Sequence, residues 1–205
     1  MSNLKSEHLV IKNFCKIAIE PMEGKDWLPI MTNGLQILEK HGFECQLGSG
    51  TLLGWIREED KYIHHDTDID IDVIVRDDGD EFHTRVDNMY EEFIENGFKL
   101  IRTQFYDGLP MQVAFMHIKE NLIYDLCFFY KNWGSDYCNI YEHGVFIRPD
   151  YSVDDVTMEP LLGCDIIYPA NYGKYLNGRY GNDWKVPKHM KESGEKDAAK
   201  YLILL

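Results

Sequence analysis

The chain has 205 residues, 44% of them hydrophobic and 13% aromatic, which supports a folded core and excludes a disordered chain. Lysine and arginine number 21 against 35 aspartates and glutamates, a formal charge of −14. That balance disfavours a nucleic-acid binder, whose affinity rests on basic phosphate contacts, and an acidic protein that handles phosphorylated substrates needs a charge screen such as a divalent metal.

Residues 1–20 are mixed in character, with Leu9-Val10-Ile11 a candidate edge strand. Asp26 caps an expected helix that runs to His41, with Trp27, Ile30, Met31, Leu35 and Leu38 on one face and Gly42 as its stop. Phe43–Leu47 reads as a short strand, Gly48-Ser49-Gly50 as a tight turn and Thr51–Arg57 as a short helix. Asp68–Val75 alternates strictly, aspartates on one face and Ile69, Ile71, Val73 and Val75 on the other. Asp80–Asn96 has helical periodicity and closes at Gly97. Strands are expected at Phe98–Tyr106, Met111–Ile118 and Leu122–Tyr130, with shorter ones at Val145–Ile147 and Ile166–Tyr168. Asn171 caps a helix through Leu176, and the charged tail from Lys188 is expected to be helical. No repeat or linker divides the chain, so residues 1–205 read as one α+β domain with a mixed or antiparallel sheet flanked by helices.

The sequence shows no signal-peptide-like segment, no membrane-spanning apolar run and no Asn-x-Ser/Thr sequon. Its five cysteines, Cys15, Cys45, Cys127, Cys138 and Cys164, lack metal-site or redox spacing. The expectation is a cytoplasmic protein with inert thiols.

The chemistry concentrates in Asp66-Thr67-Asp68-Ile69-Asp70-Ile71-Asp72. Same-face carboxylates on one strand stand roughly 6.5–7 Å apart and repel unless water or a cation offsets them. Oxygen ligands at that pitch suit Mg²⁺ or Mn²⁺; the alternative is a solvated strand face. An EF-hand is excluded, because its turn glycine would fall on Ile71 and its bidentate glutamate on Asp77. A dinucleotide loop is excluded, because its third glycine falls one place late, at Gly54. A metallohydrolase built on His64, His65 and Asp66 lacks further clustered histidines, and no P-loop is present. Asp125 lies inside the apolar run Leu122–Phe129, where a charge requires a partner. Either a nearby arginine or backbone group pairs it, or it joins Asp68 and Asp70 around metal from an adjacent strand.

The stretch Gly50-Thr51-Leu52-Leu53-Gly54-Trp55-Ile56-Arg57, followed by Tyr62-Ile63-His64-His65-Asp66-Thr67-Asp68-Ile69-Asp70, resembles the LicD/fukutin family of phosphotransferases. Tyr168–Tyr172, Tyr175-Leu176, Arg179–Trp184 and Pro187 are similar to that family's closing motif, so the likeness spans residues 26–187. It implies a nucleotidyltransferase-like core and the transfer of a phosphorylated alcohol, such as phosphocholine or a polyol phosphate, from a CDP-linked donor to a sugar or glycan hydroxyl with Mg²⁺ or Mn²⁺. By position it implies Asp68, Asp70 and Asp125 as metal ligands, Asp66 as a base or supporting group, and Gly50, Thr51 and Arg57 as donor-contacting residues. His64-His65 replace the family's usual Pro-Trp, leaving three candidate bases, and Asp72 extends the acidic run as an expected solvated carboxylate. Two other functions fit the residues: a true nucleotidyltransferase that moves NMP to a small acceptor, and a silent metal- or sugar-binding protein.

Overall fold

The computed structural model describes residues 9–15, 18, 20–130, 138–141, 144–147, 153–187 and 202–203. In chain order these form β1 (Leu9–Asn13), α1 (Trp27–Lys40), β2 (Glu44–Leu47), α2 (Ser49–Arg57), β3 (Asp68–Val75), α3 (Phe82–Glu95), β4 (Phe98–Tyr106), β5 (Leu109–His117) and β6 (Leu122–Tyr130). They continue with β7 (Cys138–Tyr141), β8 (Gly144–Ile147), β9 (Val156–Leu161), β10 (Cys164–Pro169), α4 (Tyr172–Tyr180) and β11 (Leu202–Ile203).

One sheet runs in the order β1-β4-β5-β6-β7-β8-β11, and β6 also carries β3, which carries β2. The β3–β6 pairing is parallel; the other pairings among the described residues are antiparallel. β9 and β10 make a separate two-stranded ribbon. The fold is thus α+β with a mainly antiparallel sheet, as the alternating patterns require.

One face of this sheet is apolar. Ile69, Ile71 and Val73 of β3 lie in register with Tyr124, Leu126 and Phe128 of β6, and all six are fully buried. Helices α1 and α3 supply the cover. Phe93 of α3 stacks on Phe115 with ring centroids 4.5 Å apart, and Phe43, just after α1, meets Phe128 edge-on. The Tyr124 hydroxyl crosses this core and donates to the Met31 carbonyl of α1 at 3.1 Å. Gly34, one turn further on, makes room for the ring, since a Cβ there would lie 2.3 Å from Tyr124. Substituting Gly34→Ala is therefore expected to overpack this contact and cost about 1–3 kcal/mol, despite alanine's better helix propensity. Urea denaturation measures this, and an unchanged midpoint would contradict the packing.

Several boundaries differ from the sequence-based expectation. α2 begins at Ser49, because the turn residues join the helix as its first turn, and α4 continues past Leu176 to Tyr180. The ribbon strand β9 had no predicted counterpart, its burial being only partial along its length. The tail expected to be helical falls outside the described residues except for Leu202 and Ile203, which pair with β8 as a strand. The cysteines Cys15, Cys45, Cys127 and Cys164 are free thiols, the last two buried. Among the described residues no helix is long and apolar enough to cross a membrane.

Candidate active site

The opposite face of the sheet is polar. Alternation places Asp68, Asp70 and Asp72 of β3 on it, and the parallel register sets Asp70 directly beside Asp125 of β6. One carboxylate oxygen from each of Asp68, Asp70 and Asp125 lies within 4.8 Å of the others, an all-oxygen group that could hold a metal ion. The sequence-predicted triad is therefore brought together. Asp125 is buried, and Asp68 and Asp70 are half-buried.

Burial of several carboxylates raises their pKa values, since the charged form loses water and repels its neighbours. Asp125 is pushed up to about 7, mainly by burial, against the opposing pull of Arg102. Asp66 is also pushed up to about 7, by burial first and then by the charge of Asp68 and a hydrogen bond with it. Asp70 is held well above the usual carboxylate range by burial, then by Asp68, Asp66 and Asp125, with Arg179 acting in the opposite sense. This excess of negative charge is the electrostatic counterpart of a cation site.

The turn before α2 grips β3 from above. Gly48 N–H donates to the Asp70 carbonyl at 3.1 Å, and Gly50 N–H donates to Asp70 Oδ2 at 3.0 Å. The Asp70 N–H donates to Thr51 Oγ1 at 2.8 Å. A Cβ at Gly50 would fall 2.3 Å from Asp66 Oδ2 and 3.3 Å from Asp70 Oδ2. The space above Gly50 is thus taken by carboxylates, and its N–H is spent on Asp70. Arg57 lies at the other end of α2, where it bonds Glu58 and donates from Nη1 to the Trp184 carbonyl at 3.1 Å, tying the helix to the closing segment. Thr67 N–H donates to Asp66 Oδ1 at 3.0 Å. His64 is half-exposed; it pairs with Asp60 at 3.2 Å and packs on Tyr62, and His65 is exposed.

Asp72 corrects an expectation. It is not a solvated end of the acidic run but 1% exposed, with Tyr175 donating to its Oδ2 at 3.2 Å. Gly48 and Tyr175 cover Asp72 at this end, while Asp68 and Asp70 on the same face stay half-buried.

Asp125 has the arginine partner that was one of the two readings open to it from sequence, and it also lies in the carboxylate group that the other reading needs. It joins the triad, and Arg102 Nη2 also reaches its two oxygens at 3.0 and 3.2 Å, with Gln112 Nε2 at 3.3 Å. Arg102 comes from β4, two strands away, and the register explains how. Arg102 lies opposite Ala114 and Ala114 opposite Asp125, so a methyl group is the only side chain between them. A β-bulge between Leu100 and Arg102 turns the arginine to the polar face; without it the alternation would send Arg102 into the apolar core. The sequence offers no period for such a bulge. Arg179, from α4, is half-buried and close enough to act on Asp70, whereas Lys174 is exposed. Trp184 is buried and meets Tyr172 edge-on, which makes it a packing residue of the closing segment.

Comparison with known proteins adds the following. No curated protein matches the chain. Among solved structures, a lincosamide antibiotic adenylyltransferase, LnuA, in its lincomycin-bound crystal structure shares 16% identity, with 85% of this chain and 93% of that chain covered and a TM-score of 0.45, too loose an overlap to bear on substrate. The family described as LicD/FKTN/FKRP, nucleotidyltransferase domain, matches residues 42–171, a span that holds the glycine turn, the aspartate strand, the bulged strand and Asp125. With most of its length inside that match, the chain belongs to the LicD/FKTN/FKRP family.

Proposed function

We propose that this protein is a metal-dependent phosphotransferase that moves a phosphorylated alcohol from a CDP-linked donor to a sugar or glycan hydroxyl. The observation that carries the reading is the convergence of Asp68, Asp70 and Asp125 from two adjacent strands. Family membership makes it a transferase, and the donor and acceptor are the finer part of the proposal.

The donor set fits a hard cation: three carboxylates, no thiol or imidazole, and too much buried negative charge without one. Asp68, Asp70 and Asp125 would hold Mg²⁺ or Mn²⁺, which when bound neutralises diphosphate oxygens and the charge that develops on a leaving nucleotide. The chain's own part is positioning. Gly50 and Thr51 fix Asp70, Arg102 and Gln112 fix Asp125, and Arg57 fixes the far end of α2. Asp66 lies beside Asp68 but outside the triad, so a carboxylate oxygen of Asp66 is assigned to take the proton of the acceptor hydroxyl. The acceptor's hydroxyl oxygen, freed of its proton, would form the bond to phosphorus as the bond to the bridging oxygen breaks, and CMP would depart with that electron pair. His64, engaged by Asp60 and Tyr62, is set aside as the base.

Calorimetric titration of CDP, ATP, GTP and UDP, each with Mn²⁺ and with EDTA, tests this. CDP binding that requires Mn²⁺ is the expected result. Preference for ATP or GTP would transfer the lead to NMP transfer, and no binding of any nucleotide would overturn the mechanism.

A further inference from the structure

Tyr175 joins three parts of the molecule that are remote in sequence. Its hydroxyl is buried, accepts the Ser49 N–H at 2.7 Å and donates to Asp72 Oδ2 at 3.2 Å. Both contacts are consistent with one proton arrangement: a carboxylate accepts only, so the tyrosine hydrogen points to Asp72 and its lone pair faces Ser49. Asp72 does not belong to the group of carboxylates that could share a metal ion. It is instead packed under the glycine turn, where a Cβ at Gly48 would come within 2.6 Å of its Oδ1.

Ser49 is the residue this arrangement holds. Its φ is +35°, a region that non-glycine residues seldom occupy and that costs energy unless the surroundings impose it. The next N–H along the chain, that of Gly50, is the one that grips Asp70 Oδ2. A peptide held in a strained conformation by Tyr175 thus sets the direction of the hydrogen bond that orients a candidate metal ligand.

We propose that Tyr175 is a positioning residue for the metal and donor site: through Ser49 it locks the Gly48-Ser49-Gly50 turn so that Gly50 holds Asp70, and Asp72 serves to orient the Tyr175 hydroxyl. This inference rests on the reading of Asp68, Asp70 and Asp125 as metal ligands. It gives the closing helix α4 a function at the opposite end of the sequence from the residues it serves, and it explains a buried aspartate that the triad does not use.

The test is the variant Tyr175→Phe, which keeps the ring and removes the hydroxyl. Mn²⁺ and CDP affinities are measured by calorimetry well below the melting temperature. The expected result is a loss of about tenfold in Mn²⁺ affinity, with a parallel loss for CDP. The double variant Tyr175→Phe/Ser49→Gly is expected to recover part of it, because glycine adopts the positive φ without strain. A residue that only stabilised the fold would lower the thermal midpoint and leave both affinities of the folded protein unchanged; that outcome overturns the proposal. The wild-type titrations separate its failure from that of the parent reading. Wild-type protein that binds Mn²⁺ but no CDP removes only the donor assignment, and the Mn²⁺ comparison still decides the role of Tyr175. Wild-type protein that binds no Mn²⁺ overturns both.

Discussion

The double substitution Asp68→Asn/Asp70→Asn is expected to abolish Mn²⁺ binding and, with it, nucleotide binding, while making the metal-free protein more stable. The two effects share one cause. Asp70 is raised well above the usual carboxylate range by burial and by Asp68, Asp66 and Asp125, so the metal-free fold carries a repulsion that a cation or bound protons must relieve. Asparagine keeps the shape and removes the charge, and its carbonyl oxygen can still accept the Gly50 N–H that now reaches Asp70 Oδ2. Relief of that repulsion is expected to raise the unfolding free energy in EDTA by about 1–3 kcal/mol, since each unit by which a pKa is raised corresponds to about 1.4 kcal/mol. Urea denaturation in EDTA and Mn²⁺ calorimetry on the same sample check it. A variant that loses metal binding and stability together would show that the carboxylates support the fold, and the site assignment would fall.

The second large effect is the dependence of stability on pH, whose sign should reverse with metal. Asp125 and Asp66 are both near 7 in the folded protein, against an ordinary value of 3.8. The folded state therefore holds protons that the unfolded chain has released. The stabilisation is full below the unfolded value and is lost as pH rises through the folded one, so the window runs from about 4 to about 7. Each such proton is worth about 1.4 kcal/mol per pH unit inside that window. Because the two carboxylates share one charged cluster, the slope belongs to the cluster and not to either residue. In EDTA the thermal midpoint is expected to fall between pH 5 and pH 8. In Mn²⁺ it is expected to rise over the same range, because the ligands must be deprotonated to bind. Thermal scans at four pH values under both conditions decide it; a flat profile in EDTA would mean that these groups stay ionised and neutralised by other means.

What the sequence disclosed follows from periodicity. The alternation of Asp68–Val75 fixes which residues share a face, and the long apolar strands and amphipathic helices lie within a few residues of their predicted limits. The triad was legible because two of its members sit on one alternating strand and the third is a charge in an apolar run. The features that were not legible depend on tertiary register. A one-residue bulge decides that Arg102 faces Asp125, and no local pattern marks it. Asp72 alternates with its neighbours as a solvated residue would, and only the packing of α2 and α4 over β3 buries it. At Gly50 the close neighbours are the carboxylates of Asp66 and Asp70, which only the fold brings to the glycine turn.

The parallel pairing of β3 with β6 also bears on how the chain reaches this state. A hairpin cannot make such a pairing; the chain must first cross through α3 and lay down β4 and β5. Bringing Asp70 beside Asp125 is therefore a non-local step, expected to be slow compared with helix and hairpin formation. On the proposed metal reading, Mn²⁺ capture is expected to lag behind the recovery of secondary structure during refolding. Bound Mn²⁺ should act mainly by slowing the escape of β3 from β6, lengthening the lifetime of the native state with little effect on the rate at which it forms.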